Sequence, residues 1–432
     1  MKLVAAALLA LSLHRPAAAP DVPLKSVDVT FTTPDGQRLG GRIFQPAQAE
    51  GKLPGLVLVH GSGDGNGWED LRAEAEAFAA QGMVVLAPDK RSAGYSKTER
   101  DYGQLADDAL AALTVLRKQP SVGRAGLWGV SEGGWVAPIA ATRSKDVEFL
   151  VTVGGPGYSP LRTQSWNAAN KVHRAGVRGS LNRAYAGTFH RLLGDVGLFP
   201  EADHDPAPTL ARLTRPVLAL WGAEDNQVMP AESAERFRAN VHGSLTVRFF
   251  PNAGHSLRAD DRTLVSGYAD TVGSWVRRVA AGETPTPSAD PYPAQETRSV
   301  EPPAPAWWSS WQLQLGGLVL MLLVFLGGVV RWRRLAWSAR VVAASGVLSL
   351  AGFVFTMVTL VATSNSKGVS PGPLLLDRPV AWLAAQFLAV GTTVATLTCL
   401  ARWRTASLGV RVVTATGLGF VPWALYWGLL LP

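Results

Sequence analysis

Cysteine is almost absent from this 432-residue chain: Cys399 stands alone, inside an apolar stretch. Within one chain that excludes any disulfide and any cysteine-based metal site. Acidic side chains are missing from one region. From residue 307 onward Asp377 is the single acid, against nine Lys or Arg. The whole chain has 41 basic and 33 acidic residues, so the first 306 residues hold 32 of each and cancel. The net charge of +8 therefore belongs to the C-terminal region. It gives no expectation of nucleic-acid binding and reports instead on membrane topology. Also lacking are Asp, Glu, Lys, Arg and His within four apolar stretches, 313–330, 341–362, 380–400 and 412–431. Each approaches the ~20 residues that a bilayer-spanning helix requires. Intramembrane charges usually mark ion or proton paths. Their absence weighs against a transporter or sensor with a degenerate outer domain, which stays as an alternative.

What is present around these stretches orients them. Arg331, Arg333, Arg334 and Arg340 lie between the first two, and Arg402, Arg404 and Arg411 between the last two. The middle loop has only Lys367, Asp377 and Arg378. Basic loops stay in the cytoplasm, so the first part of the chain and the C-terminus are expected outside. Residues 1–19 agree: Lys2, an apolar run over 3–13 and the small residues Ala17, Ala18 and Ala19 make an export signal cut near Ala17–Ala19. Residues 281–306 hold seven prolines and no apolar periodicity, the composition of a semi-extended linker. Trp307, Trp308 and Trp311 follow as an interfacial belt. The organisation expected is a signal over 1–19, a globular domain over 20–280, a linker over 281–306 and four spans over 307–432, in a multi-pass membrane protein whose globular domain is extracytoplasmic.

The membrane part also repeats. Arg331-Trp332-Arg333 with Arg340-Val341-Val342 recurs 71 residues later as Arg402-Trp403-Arg404 with Arg411-Val412-Val413. Ala344 and Gly346 match Ala415 and Gly417, giving eight identities in sixteen positions. A duplicated helical hairpin accounts for this, and so does convergence on Arg-Trp at a membrane edge. Small residues such as Gly391 and Ala395, four apart on one helix face, are expected to pack the helices together.

In the first 280 residues, Pro34-Asp35-Gly36 joins two alternating segments, 26–33 and 38–44, into a hairpin. Short apolar runs at 56–59, 83–87, 125–128, 149–153, 217–221 and 246–250 read as buried strands, the last closing the series. Helical patterns at 70–80, 105–116, 134–142 and 261–279 alternate with them. That rhythm predicts a doubly wound, mostly parallel sheet with active groups at strand C-terminal ends. Residues 156–215 interrupt it with a helix-like stretch over 162–193, expected to be a lid over the nucleophile or a surface excursion.

Gly129-Val130-Ser131-Glu132-Gly133 follows one of those strands and opens onto a helix. A G-x-S-x-G run there makes a tight turn that pushes the serine hydroxyl out of the sheet. Serine needs a base to become a nucleophile at neutral pH. His255 is the candidate base, since Gly254-His255 follows the last strand, and Asp225 is the candidate acid that holds its tautomer, with Glu224 as rival. A developing oxyanion needs donors. The backbone N–H of Glu132 and that of Ser62, within His60-Gly61-Ser62-Gly63, are the candidates, with His60 bracing the loop.

These motifs, with Asp89-Lys90-Arg91-Ser92-Ala93-Gly94-Tyr95-Ser96 and Trp221-Gly222-Ala223-Glu224-Asp225, resemble those of the α/β-hydrolase superfamily. The likeness is to its dienelactone-hydrolase and serine-aminopeptidase-like esterase branches, over about residues 26–280. It implies an α/β-hydrolase fold with a helical lid, joined here to an all-α transmembrane bundle. It also implies Ser131, Asp225 and His255 as a triad, and neither metal nor cofactor. Ser92 departs from the glycine common in such relatives. The activity expected is cleavage of a small-molecule ester or acyl substrate, with a peptidase or amidase as the alternative. A dehalogenase is disfavoured because Ser131, not Asp, occupies the nucleophile position. The bilayer is the expected partner, nucleic acid is not one, and nothing in the sequence names a protein partner.

Overall fold

The computed structural model describes residues 22–48, 50–63, 65–259, 261–365 and 368–432. The export signal expected over residues 1–19 lies outside them. Nine strands form one sheet in the order β1-β2-β4-β3-β5-β6-β7-β8-β9. β1 (Leu24–Thr32) and β2 (Arg38–Pro46) are the expected hairpin, and β2 meets β4 (Val84–Pro88) antiparallel. From there β3 (Leu53–Val59), β5 (Val122–Val130), β6 (Leu150–Val153), β7 (Val217–Gly222) and β8 (Leu245–Phe250) run parallel. Their apolar side chains are buried on both faces, as uninterrupted Val/Leu/Ala runs require. One face packs on α2 (Tyr102–Arg117), α3 (Gly133–Arg143) and α8 (Pro230–Asn240). The other packs on α1 (Arg72–Ala80) and α9 (Tyr268–Ala280).

Three features differ from the sequence reading. The closing helix starts at Tyr268 rather than residue 261, because Arg258 bridges back to Leu264 and occupies the intervening chain. The 246–250 strand is not the last: Ser288–Ala289 adds β9, parallel to β8. The Pro-rich segment after it is tied to the domain, through Trp166 Nε1 to Thr297 O (2.8 Å) and Ser299 N to Glu232 Oε1 (2.8 Å). Proline removes its own amide donor but leaves its neighbours' backbone groups free, and the Thr297 carbonyl and the Ser299 N–H make these bonds.

The insertion after β6 is helical: α4 (Pro160–Arg174), α5 (Ser180–Asn182), a π-helical turn (Arg183–Phe189), α6 (His190–Asp195) and α7 (Ala207–Ala211). Val172, Val177, Leu181, Ala184 and Tyr185 are buried in one apolar cluster with Trp427, Leu429 and the C-terminal helices. The insertion thus docks the domain onto those helices. Arg178 N donates to Asp377 O at 2.8 Å, and the buried Gln386 amide donates to Leu431 O at 2.6 Å and Ser180 Oγ at 3.3 Å.

The C-terminal region comprises α10 (Trp311–Val330), α11 (Trp337–Thr363), α12 (Val380–Leu400) and α13 (Leu408–Tyr426). All four are long and apolar enough to cross a membrane. The repeat has a structural counterpart at each Arg-Trp corner. Arg340 lies 5.7 Å from the Trp332 ring centroid and Arg411 lies 5.9 Å from that of Trp403. The matched glycines also do one job. A Cβ on Gly346 would approach Phe325 of α10 to 2.6 Å, and one on Gly417 would collide with Thr396 of α12. Gly328 and Gly352 likewise face Ala343 and Ala385 closely, whereas the surroundings of Gly391 are open.

Candidate active site

Ser131 follows β5 directly, and α3 begins two residues later. Its φ is +54°, a left-handed conformation that an L side chain keeps only where neighbours hold it. Ser131 N donates to Val153 O (2.9 Å) and Gly134 N to Ser131 O (2.7 Å), which fixes both sides of the turn. The turn is so tight that a Cβ on Gly129 would run into Gly133 O. The glycine spacing of the motif has that steric cause.

Asp225 follows β7, and His255 lies in the loop after β8. The two side chains are buried, with His255 Nδ1 2.8 Å from Asp225 Oδ2. The second carboxylate oxygen accepts from the amides of Gln227 (2.8 Å) and Val228 (3.0 Å), so the carboxylate cannot swing away. An imidazole that donates Nδ1–H to a carboxylate presents Nε2 as an acceptor. His255 Nε2 is buried and has no hydrogen-bond partner among the described residues. Leaving a buried polar atom unpaired is unfavourable, and such atoms concentrate where a substrate will supply the partner. Glu224 is exposed, whereas Asp225 is buried against the ring.

The second expected donor loop sits beside the serine. A Cβ on Gly61 would be 3.4 Å from Ser131 Cβ. Neither the Ser62 amide nor the Glu132 amide meets a backbone acceptor outside the regular elements among the described residues. His60 braces this region from behind, with Nε2 2.7 Å from Pro88 O. A carbonyl only accepts, so that nitrogen carries the proton. Burial pushes the imidazole pKa down to about 4, which leaves His60 neutral at physiological pH.

Three residues without an assigned role in the sequence converge on the Glu132 side chain. Lys90 Nζ and Tyr95 Oη donate to Glu132 Oε1 at 2.7 and 2.9 Å, and Arg100 pairs with Oε2 at 2.7 Å. Lys90 and Tyr95 belong to the 89–96 motif, but their meeting with residue 132 is purely tertiary. Arg91 of the same motif is buried between Asp108 (2.6 Å) and Asp35 (2.8 Å) and clamps the β1–β2 turn to α2. Among the described residues no group of three or more His, Cys, Asp or Glu is placed to hold a metal ion.

The match with known proteins falls on this part of the chain: residues 56–267 match the alpha/beta hydrolase family. That stretch of the chain is thus similar to an α/β-hydrolase domain. The thiohydrolase aneE of Aspergillus aculeatus is 36% identical over 134 residues, which are 29% of this chain and 40% of that protein. Esterase EstD of Thermotoga maritima is 28% identical over 211 residues, 44% of this chain and 50% of the esterase. The chain thus spans half or less of the length of these curated relatives. Among solved structures, the esterase domain of a Rhodothermus marinus protein is 21% identical, with a TM-score of 0.41, over 59% of this chain and 99% of that one. All these similarities leave much of the chain unmatched. Ser131, Asp225 and His255 follow β5, β7 and β8, at the C-terminal ends of parallel strands of the one sheet.

Proposed function

We propose that the protein is a membrane-anchored, extracytoplasmic serine hydrolase that cleaves carboxylic esters through Ser131, His255 and Asp225. The observation that carries this reading is the buried Asp225–His255 pair, whose Nε2 has no partner among the described residues and lies, like the strained Ser131 turn, beyond the C-terminal ends of the parallel strands. In the proposed reaction Ser131 Oγ attacks the ester carbonyl carbon and His255 Nε2 takes the hydroxyl proton. The carbonyl electron pair moves onto oxygen, which accepts from the Ser62 and Glu132 amides. Collapse expels the alcohol, which takes the proton back from His255, and leaves the acyl group on Ser131. Water, deprotonated by His255, then releases the acid.

Thioesters are the second substrate class, favoured by the identity with a thiohydrolase. The same triad also serves amides. The membrane reading is supported by where the domain docks. The insertion meets the 377–386 region and the 428–431 turn, at the helix ends away from the Arg331–Arg340 and Arg402–Arg411 corners. Cytoplasmic Arg corners therefore put the α/β domain outside.

A fluorophosphonate label applied to membranes holding the full chain tests the chemistry. Ser131→Ala should abolish labelling and lower the rate by ~10³-fold or more. Undiminished labelling of that variant refutes the nucleophile. A panel of one acid as ester, thioester and anilide then ranks the leaving groups.

A further inference from the structure

The Gly61–Ser62 peptide is held by an unusual partner. Lys90 Nζ donates to Gly61 O at 2.6 Å. In a trans peptide the carbonyl and the following N–H point in opposite directions. Fixing Gly61 O toward Lys90 therefore points the Ser62 N–H the opposite way within the same plane, and Gly61 itself lies against Ser131. The lysine is in turn fixed. Its buried ammonium pairs with Glu132 Oε1 at 2.7 Å and stands 3.8 Å from the Tyr95 ring centroid. Tyr95 Oη accepts from Gly63 N at 3.2 Å while donating to the same carboxylate oxygen. One carboxylate thus ties together the loop that offers Ser62 N–H and the residue that offers the second amide, Glu132 itself.

We propose that Lys90 is a positioning residue for the oxyanion site: it locks the Gly61–Ser62 peptide plane and polarises it, so that Ser62 N–H is a directed and strengthened donor. An ammonium on the carbonyl oxygen draws electron density from the amide, and hydrogen bonds linked through one peptide reinforce each other. A donor aimed before the reaction costs no reorganisation when negative charge appears. The motif surrounding Lys90 thereby gains a division of labour. Arg91 holds the scaffold through Asp35 and Asp108, and Lys90 holds the site. This inference rests on the reading of Ser131 as nucleophile.

Lys90→Met in the full membrane-embedded chain is the direct test. Glu132 keeps Arg100 and Tyr95 as partners, so the substitution strands no lone buried charge. Deleting a whole oxyanion donor costs ~10²–10³-fold, and misaiming one should cost about 10–100-fold in kcat with KM changed by less than about threefold. A trifluoromethyl ketone, which binds as a tetrahedral adduct with an oxyanion, should lose affinity by the same factor. Lys90→Arg should recover part of both losses. Rates are taken per competent site, counted by exhaustive fluorophosphonate titration. An unchanged kcat per site, or a loss confined to the number of sites, overturns the proposal while Ser131→Ala separately decides the nucleophile. If Lys90→Met does not accumulate, Tyr95→Phe substitutes for it. That variant keeps the ring under the ammonium and removes the bonds to Gly63 and Glu132, so a smaller kcat loss at constant KM is expected, and an unchanged kcat per site overturns the proposal.

Discussion

Buried polar groups in the α/β domain include several paired ions, whereas those in the C-terminal helices are neutral. In the domain, Arg91 lies with Asp108, Glu132 with Lys90 and Arg100, and Glu74 with Arg258. Among the described residues of α10–α13 the buried polar side chains are hydroxyls and amides: Gln314, Ser345, Ser349, Thr356, Gln386, Thr392, Thr396 and Thr414. Most hydroxyls bond to a carbonyl one turn back, as Thr414 does to Val410 O at 2.8 Å and Thr396 to Thr392 O at 2.7 Å. The contrast follows from the surroundings. A buried ion is tolerable where counter-ions meet it, and its fixed field is useful next to developing charge. In hydrocarbon no water relieves a mismatch, so a hydroxyl that satisfies itself on its own helix is the cheaper polar group.

The sharpest break in this comparison is expected at the ion-linked site. Asp225→Asn keeps the shape but loses the charge that selects the imidazole tautomer, so the ester rate should fall by roughly 10⁴-fold. Glu224→Gln, at an exposed position, should leave the rate nearly unchanged. A larger loss from Glu224→Gln in the same assay would exchange the two roles.

Removing residues 307–432 is the next largest perturbation. If the four helices served only as an anchor, their removal would leave a soluble active esterase. The structure changes the expectation, because Val172, Val177, Leu181 and Tyr185 would lose the apolar partners that cover them. Contiguous exposed apolar surface of that kind promotes association. The truncated chain should still label with fluorophosphonate, but only in detergent. A monodisperse, detergent-free preparation would show that the docking face is dispensable.

Much of the domain was legible because its evidence is local. Continuous apolar runs bounded by Gly and Pro gave β3 to β8, and the elbow motif carries its own steric reason at Gly129. What local patterns lacked was partners. The apolar face of residues 162–193 reads as helix in sequence, but its cover lies more than 200 residues away at Trp427 and Leu429. Lys90, Tyr95 and Arg100 are unremarkable singly and acquire meaning only around Glu132. Gly391 misled because spacing identifies a face without saying which neighbour it meets, whereas Gly417 is marked by the repeat.

Within the helices the expected effects are smaller. Gly417→Ala forces a Cβ into Thr396, and overpacking of this kind costs ~1–3 kcal/mol. Gly391→Ala meets open space and should be neutral. Thermal unfolding of the full chain in detergent should separate the two, with ester turnover unchanged below the transition. Equal melting points would mean that α12 and α13 do not approach each other as closely as Gly417 allows. Protease added to intact spheroplasts should digest the α/β domain and spare the Arg331–Arg340 corner; protection of the domain would invert the topology.

The most delicate difference lies in how the domain treats a proton. His60 is buried with Nε2 donating to Pro88 O, and burial lowers its pKa from 6.5 to about 4. Above pH 6.5 the ring is neutral both folded and unfolded, and its contribution is constant. As the pH falls below 6.5 the unfolded chain takes up the proton and the folded one does not, so stability is lost progressively down to about pH 4. The full loss attributable to this ring is about 3 kcal/mol. His60→Gln keeps an amide donor for Pro88 O and removes the titration. Comparing unfolding free energies of the two proteins from pH 7 to pH 4 cancels the carboxylates they share. The wild type should lose stability faster than the variant across that window, and parallel curves would show that His60 is hydrated, and its proton freely exchanged, within the folded domain.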